Sequence, residues 1–335
     1  MPTSMQYSIR RQGALGVHSL NRFVFTVPSL NEAEKFYKAF GLEVRRSSKR
    51  IGLYTHGHAH CWGSIFEAPG RKKLQYLSFG AYESDLADII ARLETEKGLK
   101  PIAAHPLSDG TGHWYDDPEG IAIQICVAPK VTPSDRLPTR PSVTVAAGRG
   151  ASPARSAVSE VQPIRLSHVL LFSADVPRAT QFYCDALGLR VSDTSGDGIA
   201  FLHGPHASDH HLLAFAKSDG PGLHHASWSV DSLDKVGNGM EQMYAAGYGD
   251  GWGVGRHVLG SNYFYYVRDP WGSFCEYSFD IDFVPATLEW ASGDHPPEDS
   301  FYLWGPKVPE YFIQNHETAP ASVATTPTVS ATAKV

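Results

Sequence analysis

The chain contains the same pattern twice, and this repetition restricts it to folds built from two similar modules. Residues 20–44 read LNRFVFTVPSLNEAEKFYKAFGLEV, and residues 166–191 read LSHVLLFSADVPRATQFYCDALGLRV. Each segment predicts an apolar strand, a turn, and a helix that carries Phe-Tyr and is followed by Gly-Leu. The similarity continues through residues 74–79 and 223–228, and through the Asp-Pro-x-Gly turns at 117–120 and 269–272. A repeat of this extent indicates two tandem modules of one fold.

The two copies differ at three positions in a way that matters chemically. In register, the first copy has Arg22, Tyr76 and Gln124, and the second has His168, His225 and Glu276. Two imidazoles and one carboxylate form the ligand set of a divalent metal that keeps open coordination positions. Arginine cannot bind a cation and glutamine carries no charge, so the repeat predicts a metal site in the second copy alone.

Each residue of this set has a simpler interpretation when it is taken by itself. A lone histidine such as His168 is more often a hydrogen-bonded core residue than a ligand. Adjacent strand residues face opposite ways, so only one of His224 and His225 is expected to face a given cavity, and the repeat selects His225. A buried charge such as Glu276 is costly unless it is paired or bound to metal. Three coincident exchanges favour the metal site over unrelated core polar residues.

Composition argues against several classes of function. The 335 residues are 42% hydrophobic and 19% charged, as expected of a soluble globular protein with room for two domains. The chain has a net charge of −6 and no basic stripe, which argues against nucleic-acid binding. No apolar run is long enough to cross a bilayer, and the first residues lack the apolar core of a signal peptide. The four scattered cysteines argue against a disulfide scaffold and indicate a cytoplasmic location.

Two low-complexity segments without aromatic residues divide the chain. We expect an N-terminal extension (1–15), a first module (16–130), a flexible linker (131–161), a second module (162–285), an aromatic C-terminal extension (286–318) and a disordered tail (319–335). The aromatic density of the C-terminal extension is high for a plain tail. We therefore expect it either to close a pocket on the second module or to form a packing interface.

Strand-rich modules with peripheral helices predict an α+β fold. Ser29 and Asp175 are the expected N-caps of the first helix in each module. Second helices are expected over residues 84–96 and 232–246, the latter ending at Gly247. A strand is expected over residues 211–215.

One segment of the second module resembles a known family closely. Residues 255–276 read GRHVLGSNYFYYVRDPWGSFCE. This run is similar to the signature of type I extradiol ring-cleavage dioxygenases of the vicinal oxygen chelate superfamily: a His, a spacer, an apolar residue, Tyr, two residues, Asp-Pro-x-Gly and a terminal Glu. Tyr265 stands where an aliphatic residue or Phe is usual, a change that a strand tolerates. The resemblance covers both modules and is specific in the second.

The resemblance implies two tandem vicinal oxygen chelate modules, each built of paired βαβββ units, of which the first has lost its metal. It implies that His168, His225 and Glu276 bind Fe(II), with Mn(II) as the alternative. It also assigns an acid–base role to His211 and hydrogen bonds to the bound catechol to His257 and Tyr266. The competing interpretation of His211 is a surface hairpin residue, and that of Tyr266 is a packed aromatic.

The implied activity is cleavage of a catechol ring by O2 to a ring-opened semialdehyde acid, in aromatic catabolism, by a homo-oligomer. Three alternatives remain: a metal-dependent glyoxalase-like lyase or isomerase, a protein that sequesters a small aromatic compound, and a keto-acid dioxygenase with the same ligands. A dioxygenase loaded with Fe(II) would take up O2 when catechol is added, whereas a lyase or isomerase would not. Metal-independent affinity for the ligand would mark a binding protein.

Overall fold

The computed structural model describes residues 10–136 and 147–318 of the chain. The predicted disordered tail, most of the N-terminal extension and the middle of the predicted linker lie outside these ranges. Within residues 10–136 the strands are β1 (Ser19–Val27), β2 (Glu43–Arg46), β3 (Arg50–Tyr54), β4 (Gly63–Glu67), β5 (Lys73–Ala81), β6 (His113–Asp116) and β7 (Ala122–Val127). The helices there are α1 (Leu30–Ala39) and α2 (Glu83–Ala91), the second continued by a π-helical turn over Arg92–Glu96.

The second half repeats this order and then extends it. Its strands are β8 (Arg165–Ser173), β9 (Arg190–Ser195), β10 (Ile199–His203), β11 (Ser208–Asp209), β12 (Leu213–Lys217), β13 (Gly222–Ser229), β14 (Gly251–His257), β15 (Tyr263–Arg268), β16 (Phe274–Phe279), β17 (Phe283–Val284), β18 (Gly293–Asp294) and β19 (Tyr302–Trp304). Its helices are α3 (Val176–Leu187), α4 (Leu233–Ala245) and α5 (Pro297–Ser300), with 3-10 turns at Arg155–Ala157 and Glu310–Ile313.

The predicted helix starts are confirmed by their capping hydrogen bonds. The Ser29 hydroxyl accepts from the backbone N–H of Glu32 at 3.3 Å, and the Asp175 carboxylate accepts from that of Arg178 at 3.1 Å. These bonds satisfy backbone donors that the first turn of a helix otherwise leaves without partners. After α4 the chain leaves the helix at Gly247, whose φ of 91° is readily adopted only by glycine.

Each module is built on one large mixed sheet with an antiparallel pair of strands at its centre, and β11 and β17 of the second module form a separate two-stranded sheet. The strand order is β2-β3-β4-β1-β5-β7-β6 in the first module and β18-β9-β10-β12-β8-β13-β16-β15-β14-β19 in the second. In each module the first strand of one unit lies antiparallel to the first strand of the other, β1 to β5 and β8 to β13. Two βαβββ units joined in this way confirm the predicted α+β architecture.

Two predicted details differ in the structure. The second unit of the first module has three strands instead of four, because residues 97–112 form no counterpart to β14. The strand predicted over residues 211–215 begins at Leu213, so His211 lies in the bend that precedes it. Because His211 lies outside the strand, the alternation of strand side chains does not determine which way its side chain points.

The two modules share one hydrophobic core in the described residues. Phe40 of the first module stacks on Tyr277 of the second with ring centroids 4.0 Å apart, and the Tyr277 hydroxyl donates to the Phe40 carbonyl oxygen at 2.9 Å. A buried ion pair between Lys72 and Asp269 crosses the same boundary. The second module is therefore held against the first by contacts of core quality.

The described ends of the predicted linker are attached to the modules. The backbone N–H of Val131 donates to the Ser19 hydroxyl at 3.0 Å, and that of Val161 donates to Gln242 at 2.8 Å. The flexibility of the segment between them stays a prediction. Within the described part of the chain, no helix is long and apolar enough to span a membrane.

Candidate metal centre and active site

Three neighbouring central strands each contribute one ligand-type side chain to a single point. His168 lies on β8, His225 on β13 and Glu276 on β16, and all three are buried. The two Nε2 atoms of His168 and His225 are 3.3 Å apart, and Glu276 Oε2 lies 3.3 Å from the first and 3.6 Å from the second. Among the described residues, this is the cluster of three or more His, Cys, Asp or Glu side chains whose atoms converge closely enough to hold a metal ion.

The unmatched oxygen of Glu276 is the observation that calls for a cation. Glu276 is 0% exposed, and its Oε2 has no hydrogen-bond partner. A buried carboxylate oxygen left in this state is expensive unless a positive charge lies beside it. Ligand atoms about 2.1 Å from one ion are roughly 3.0–3.4 Å apart, close to the separations found here. The donor set and its spacing therefore fit a divalent metal.

The other oxygen of Glu276 is fixed by the protein. Asn262 Nδ2 donates to Glu276 Oε1 at 3.0 Å, and His257 Nε2 lies 4.0 Å from the same oxygen. Burial alone opposes ionisation, but the charges of the neighbouring His168 and His257 hold the pKa of the Glu276 carboxyl below its ordinary value. The carboxylate is thus oriented with Oε2 toward the two histidines.

The structure corrects the expectation that His224 faces away from the site. The pairing of β13 with β8 shifts register between Leu223 and His225, which places an irregularity at His224. This bulge breaks the alternation of side chains, so His224 and His225 both line the same cavity. Their ring centroids are 4.9 Å apart.

His224 supports the ligand beside it. Its Nε2 lies 2.7 Å from the Phe312 carbonyl oxygen, and its Nδ1 lies 2.7 Å from His225 Nδ1. A carbonyl oxygen only accepts, so His224 carries its proton on Nε2 and offers Nδ1 as an acceptor. His225 then donates from Nδ1 and presents the Nε2 lone pair to the metal position. Burial lowers the pKa of both histidines, which favours the neutral imidazole that binds metals.

His168 is held from behind by a separate network. Its Nδ1 lies 3.2 Å from the Ser167 hydroxyl, which donates to Asp209 at 3.0 Å. Arg165 makes two hydrogen bonds to the same carboxylate, at 2.6 and 3.0 Å. A chain of this kind fixes the ring orientation of a ligand histidine.

His211 lies inside the protein, which rules out its interpretation as a surface hairpin residue. It is 3% exposed, and its ring centroid is 4.0 Å from that of His168. Its Nδ1 lies 3.0 Å from Nδ1 of His210. Burial, reinforced by the charges of His168 and His210, lowers the pKa of His211 well below its ordinary value. The ring is therefore neutral and positioned to accept a proton.

His257 and Tyr266 form a hydrogen-bonded pair beside Glu276 and His225. His257 Nδ1 donates to the Phe301 carbonyl oxygen at 2.9 Å, so its Nε2 accepts from the Tyr266 hydroxyl, also at 2.9 Å. Burial and the neighbouring charge of Glu276 raise the pKa of Tyr266 well above its ordinary value. Tyr266 therefore remains a hydroxyl donor at neutral pH, and its predicted role is compatible with this arrangement.

A cavity of about 400 Å³ opens beside these groups. Cavities of this size suit small organic ligands. The apolar part of its lining is made of Leu170, Phe172, Ile199, Phe201, Leu259, Phe301, Phe312 and Ile313. The last three belong to the C-terminal extension, so this segment forms part of the cavity wall. Five of the six predicted site residues thus line this cavity, and the sixth, Glu276, lies beside two of them. Their roles as ligands and acid–base groups stay predictions.

At the equivalent place in the first module, two side chains are hydrogen-bonded to backbone carbonyl oxygens and the third packs against an aromatic ring. Strand register confirms the equivalence: Ser78 lies opposite Arg22 and Gln124, and Ser227 lies opposite His168 and Glu276. Arg22 donates to the Cys61 carbonyl oxygen at 3.2 Å, and Gln124 donates to that of Thr111 at 2.9 Å. Tyr76 packs edge-on against Trp114, with centroids 4.9 Å apart.

Several residues of the site escape prediction from the repeat. His210, His224 and Asn262 are buried around it, and their roles depend on contacts that the alignment does not contain. A signal existed in the adjacent pairs His210-His211 and His224-His225. In each pair the first histidine is joined to the second through their Nδ1 atoms.

Sequence comparison finds one matching family model and several similar proteins. Residues 165–277 match the Glyoxalase/Bleomycin resistance protein/Dioxygenase superfamily. The chain is 50% identical over 301 residues to metapyrocatechase 2 of Cupriavidus necator. The alignment covers 90% of this chain and 93% of that protein. It is 32% identical over 151 residues to the 3-methylcatechol 2,3-dioxygenase of Pseudomonas putida. That alignment covers 42% of this chain and 49% of that protein.

Solved structures share the fold. The chain is similar to the Mn(II)-bound glyoxalase of Novosphingobium aromaticivorans, with a TM-score of 0.71 and 23% identity over 90% of this chain and 96% of that one. It is also similar to the 2,2',3-trihydroxybiphenyl 1,2-dioxygenase of Sphingomonas wittichii, with a TM-score of 0.67 and 21% identity over 88% of this chain and 100% of that one. At these identities the likeness concerns the fold alone.

Proposed function

Because the chain belongs to the extradiol ring-cleavage dioxygenase family within the Glyoxalase/Bleomycin resistance protein/Dioxygenase superfamily, we propose that it opens the aromatic ring of a catechol with O2. The product is a ring-opened semialdehyde acid. The observation that carries this proposal is the buried carboxylate oxygen of Glu276, which has no hydrogen-bond partner and lies 3.3 and 3.6 Å from two histidine nitrogens at the edge of an apolar cavity.

We propose Fe(II) as the metal, held by His168, His225 and Glu276. A bound Fe(II) supplies Lewis-acid activation of the two catechol oxygens and the electron transfer that makes O2 reactive. The protein supplies the rest. His224 keeps the Nε2 lone pair of His225 available, and Asn262 keeps one oxygen of Glu276 occupied so that the other faces the metal position.

His211 is the proposed acid–base group. Its Nδ1 is occupied by His210, so Nε2 is the nitrogen free to take a proton from a catechol hydroxyl. Tyr266 donates its hydroxyl proton to His257, and its oxygen is proposed to accept a hydrogen bond from a catechol hydroxyl. The aromatic walls of the cavity place the ring and keep bulk water away from it.

We propose further that residues 286–318 complete the cavity as part of the catalytic unit. Phe301 and Phe312 line the cavity with their side chains and fix His257 and His224 with their carbonyl oxygens. The protein is proposed to work in the cytoplasm as a homo-oligomer. Light scattering on the purified protein measures the oligomeric state, and a monomer would contradict that part of the proposal.

The test is O2 consumption by the metal-loaded protein. The purified protein is freed of metal, loaded with Fe(II) under anaerobic conditions and mixed with catechol or 3-methylcatechol in an O2 electrode. We expect one O2 to disappear for each ring opened, with a new product absorbance in the visible or near-ultraviolet. The matched control is Gln124→Ala, at the equivalent position of the first module, which should retain full activity. Tight catechol binding without O2 uptake would indicate a sequestration protein, and metal-dependent conversion without O2 uptake would indicate a lyase or isomerase.

A further inference from the structure

A continuous line of four side chains joins the buried cavity to the protein surface. It begins at His211, passes through His210 and Asp193, and ends at His295 of the C-terminal extension. The nitrogen atoms Nδ1 of His211 and His210 are 3.0 Å apart, His210 Nε2 lies 2.8 Å from Asp193 Oδ2, and His295 Nε2 lies 2.9 Å from Asp193 Oδ1. His211 is 3% exposed, whereas the side chain of His295 is 38% exposed.

The carboxylate in the middle determines the direction of the hydrogen bonds. Asp193 accepts from His210 Nε2 through one oxygen, and from His295 and the Gly293 backbone N–H through the other. With its proton on Nε2, neutral His210 offers Nδ1 as an acceptor, so His211 donates from Nδ1. The lone pair of His211 Nε2 is then free for a proton from the cavity. The line is polarised to receive a proton at its buried end.

The chemistry of the proposed function, on which this inference rests, requires such a route. A neutral catechol and O2 give a hydroxy semialdehyde acid, and this acid is ionised at neutral pH. Ring opening therefore releases one proton for each turnover, in a buried site whose lining is largely apolar. A buried imidazole that takes up this proton has to lose it before the next cycle.

We propose that Asp193 and His295 complete a proton relay that carries this proton from His211 to solvent. The catechol O–H breaks as the Nε2–H bond of His211 forms, and the Nδ1 proton of His211 passes to Nδ1 of His210. The Nε2 proton of His210 passes to Asp193. The exposed imidazole of His295, once its own proton has moved through water from Nε2 to Nδ1, takes a proton from the Asp193 carboxyl at Nε2 and releases its Nδ1 proton to water. Each transfer breaks one O–H or N–H bond and forms another, with no change in oxidation state. Asp193 and His295 act through His211 and are positioning residues.

The competing explanation is that Asp193 serves only to fasten the C-terminal extension to the sheet. The neighbouring Asp294 provides the matched control, because it fastens the same junction without joining the line. It accepts from the Thr194 hydroxyl at 2.9 Å and from the Gly196 backbone N–H at 2.7 Å. A variant at Asp294 therefore reports what loosening the junction does by itself.

The experiment compares His295→Ala, Asp193→Asn and Asp294→Asn in metal-loaded protein, with kcat measured at low and high imidazole buffer concentration. For His295→Ala we expect kcat to fall at least ~10-fold in weak buffer and to recover in strong buffer, because dissolved imidazole replaces the lost surface carrier. KM for catechol and metal content should stay unchanged. Asp193→Asn should lose ~100- to 10,000-fold in kcat without recovery, because an amide can reverse the hydrogen-bond direction and block the line. Wild type and Asp294→Asn should show no dependence on buffer concentration.

Two outcomes would overturn the relay. In the first, His295→Ala has the kcat of wild type in weak buffer. In the second, kcat falls equally in His295→Ala and Asp294→Asn, and strong buffer does not restore it. A second readout does not require turnover: nitrogen NMR of labelled histidine should show His211 protonated on Nδ1 in wild type and a changed tautomer in Asp193→Asn. If wild type consumes no O2 with any catechol, the proposed function fails, while the NMR result still decides the polarity of the line.

Discussion

The two modules share a fold and the strand register of their central pair, yet in the part of the chain that the structure describes only the second presents a metal-binding geometry. In the first module, Arg22 and Gln124 each donate to a backbone carbonyl oxygen, and Tyr76 packs on Trp114. In the second, the equivalent atoms converge on a point with one carboxylate oxygen left without a partner. The fold therefore provides the place, and the chemistry depends on three exchanged side chains.

The supporting residues differ between the modules as much as the ligands do. Both modules have a register shift here, at Gln75 in β5 and at His224 in β13, but the second places a histidine at it. The second module also has the extra strand β14, which carries His257. It also receives the C-terminal extension, whose Phe301 and Phe312 carbonyl oxygens fix two histidines. Restoring three ligands to the first module would therefore not be expected to restore a working site.

Replacement of the carboxylate ligand should have the largest effect on this contrast. Glu276→Gln removes the negative charge that balances the metal, and it makes the second module resemble the first at this position. Loss of a residue that only hydrogen-bonds to a ligand typically lowers metal affinity by up to ~100-fold. Loss of the ligand itself should lower metal affinity further and abolish turnover. Elemental analysis after gel filtration measures this effect. Full occupancy in Glu276→Gln would remove Glu276 from the ligand set.

Replacement of the acid–base group should separate metal binding from proton transfer. His211→Phe leaves the three ligands and the catechol-binding pair untouched, so the metal and the affinity for catechol should remain. Turnover should fall by ~100- to 10,000-fold, the usual range for loss of a positioned acid–base group. Metal analysis and single-turnover spectra under O2 distinguish the cases. Loss of metal from this variant would make His211 a ligand.

The boundary between the modules offers a stability test. Lys72 of the first module and Asp269 of the second are 3% and 0% exposed, and the lysine also lies 4.5 Å from the ring centroid of Phe25. Lys72→Met leaves a buried carboxylate without its cation, which typically costs about 3–5 kcal/mol. Urea unfolding measures the loss, and the exposed neighbour substitution Lys73→Met is the control. An equal, small change in both variants would mean that the pair contributes little.

The counterpart of Asp269 in the first module has a neutral partner instead. Asp117 accepts from the Tyr183 hydroxyl at 3.1 Å and from two backbone N–H groups, and burial raises the pKa of its carboxyl to about 6. The folded state therefore holds this proton more tightly than the unfolded state does. The resulting stabilisation is full below pH 3.8 and is lost as pH rises to about 6.

Asp117→Asn should remove this pH dependence. Wild type should lose stability as pH rises from 4 to 7, whereas the variant should not. The difference in unfolding free energy, variant minus wild type, should therefore increase by about 3 kcal/mol over this range. Urea unfolding at both pH values measures the difference, with the exposed Asp116→Asn as control. A difference between Asp117→Asn and wild type that does not change with pH would show that Asp117 ionises normally in the folded protein.

Prediction from sequence succeeds here where a local pattern carries the information. The offset between the copies aligned Arg22 with His168, in agreement with the observed register. The rule of alternation failed at His224, because a bulge is a property of the paired strands and not of one segment. The line from His211 to His295 depends on contacts between residues about 100 positions apart in sequence, which a pattern of neighbours does not encode.

The number of metal ions bound to each chain tests the difference between the modules most directly. Wild-type protein is reconstituted with Fe(II) under anaerobic conditions, freed of excess metal by gel filtration and measured by elemental analysis against protein concentration. The second module alone brings two histidines and a carboxylate together in the described residues, so we predict one iron for each chain. Two tightly bound irons, or none, would contradict this account.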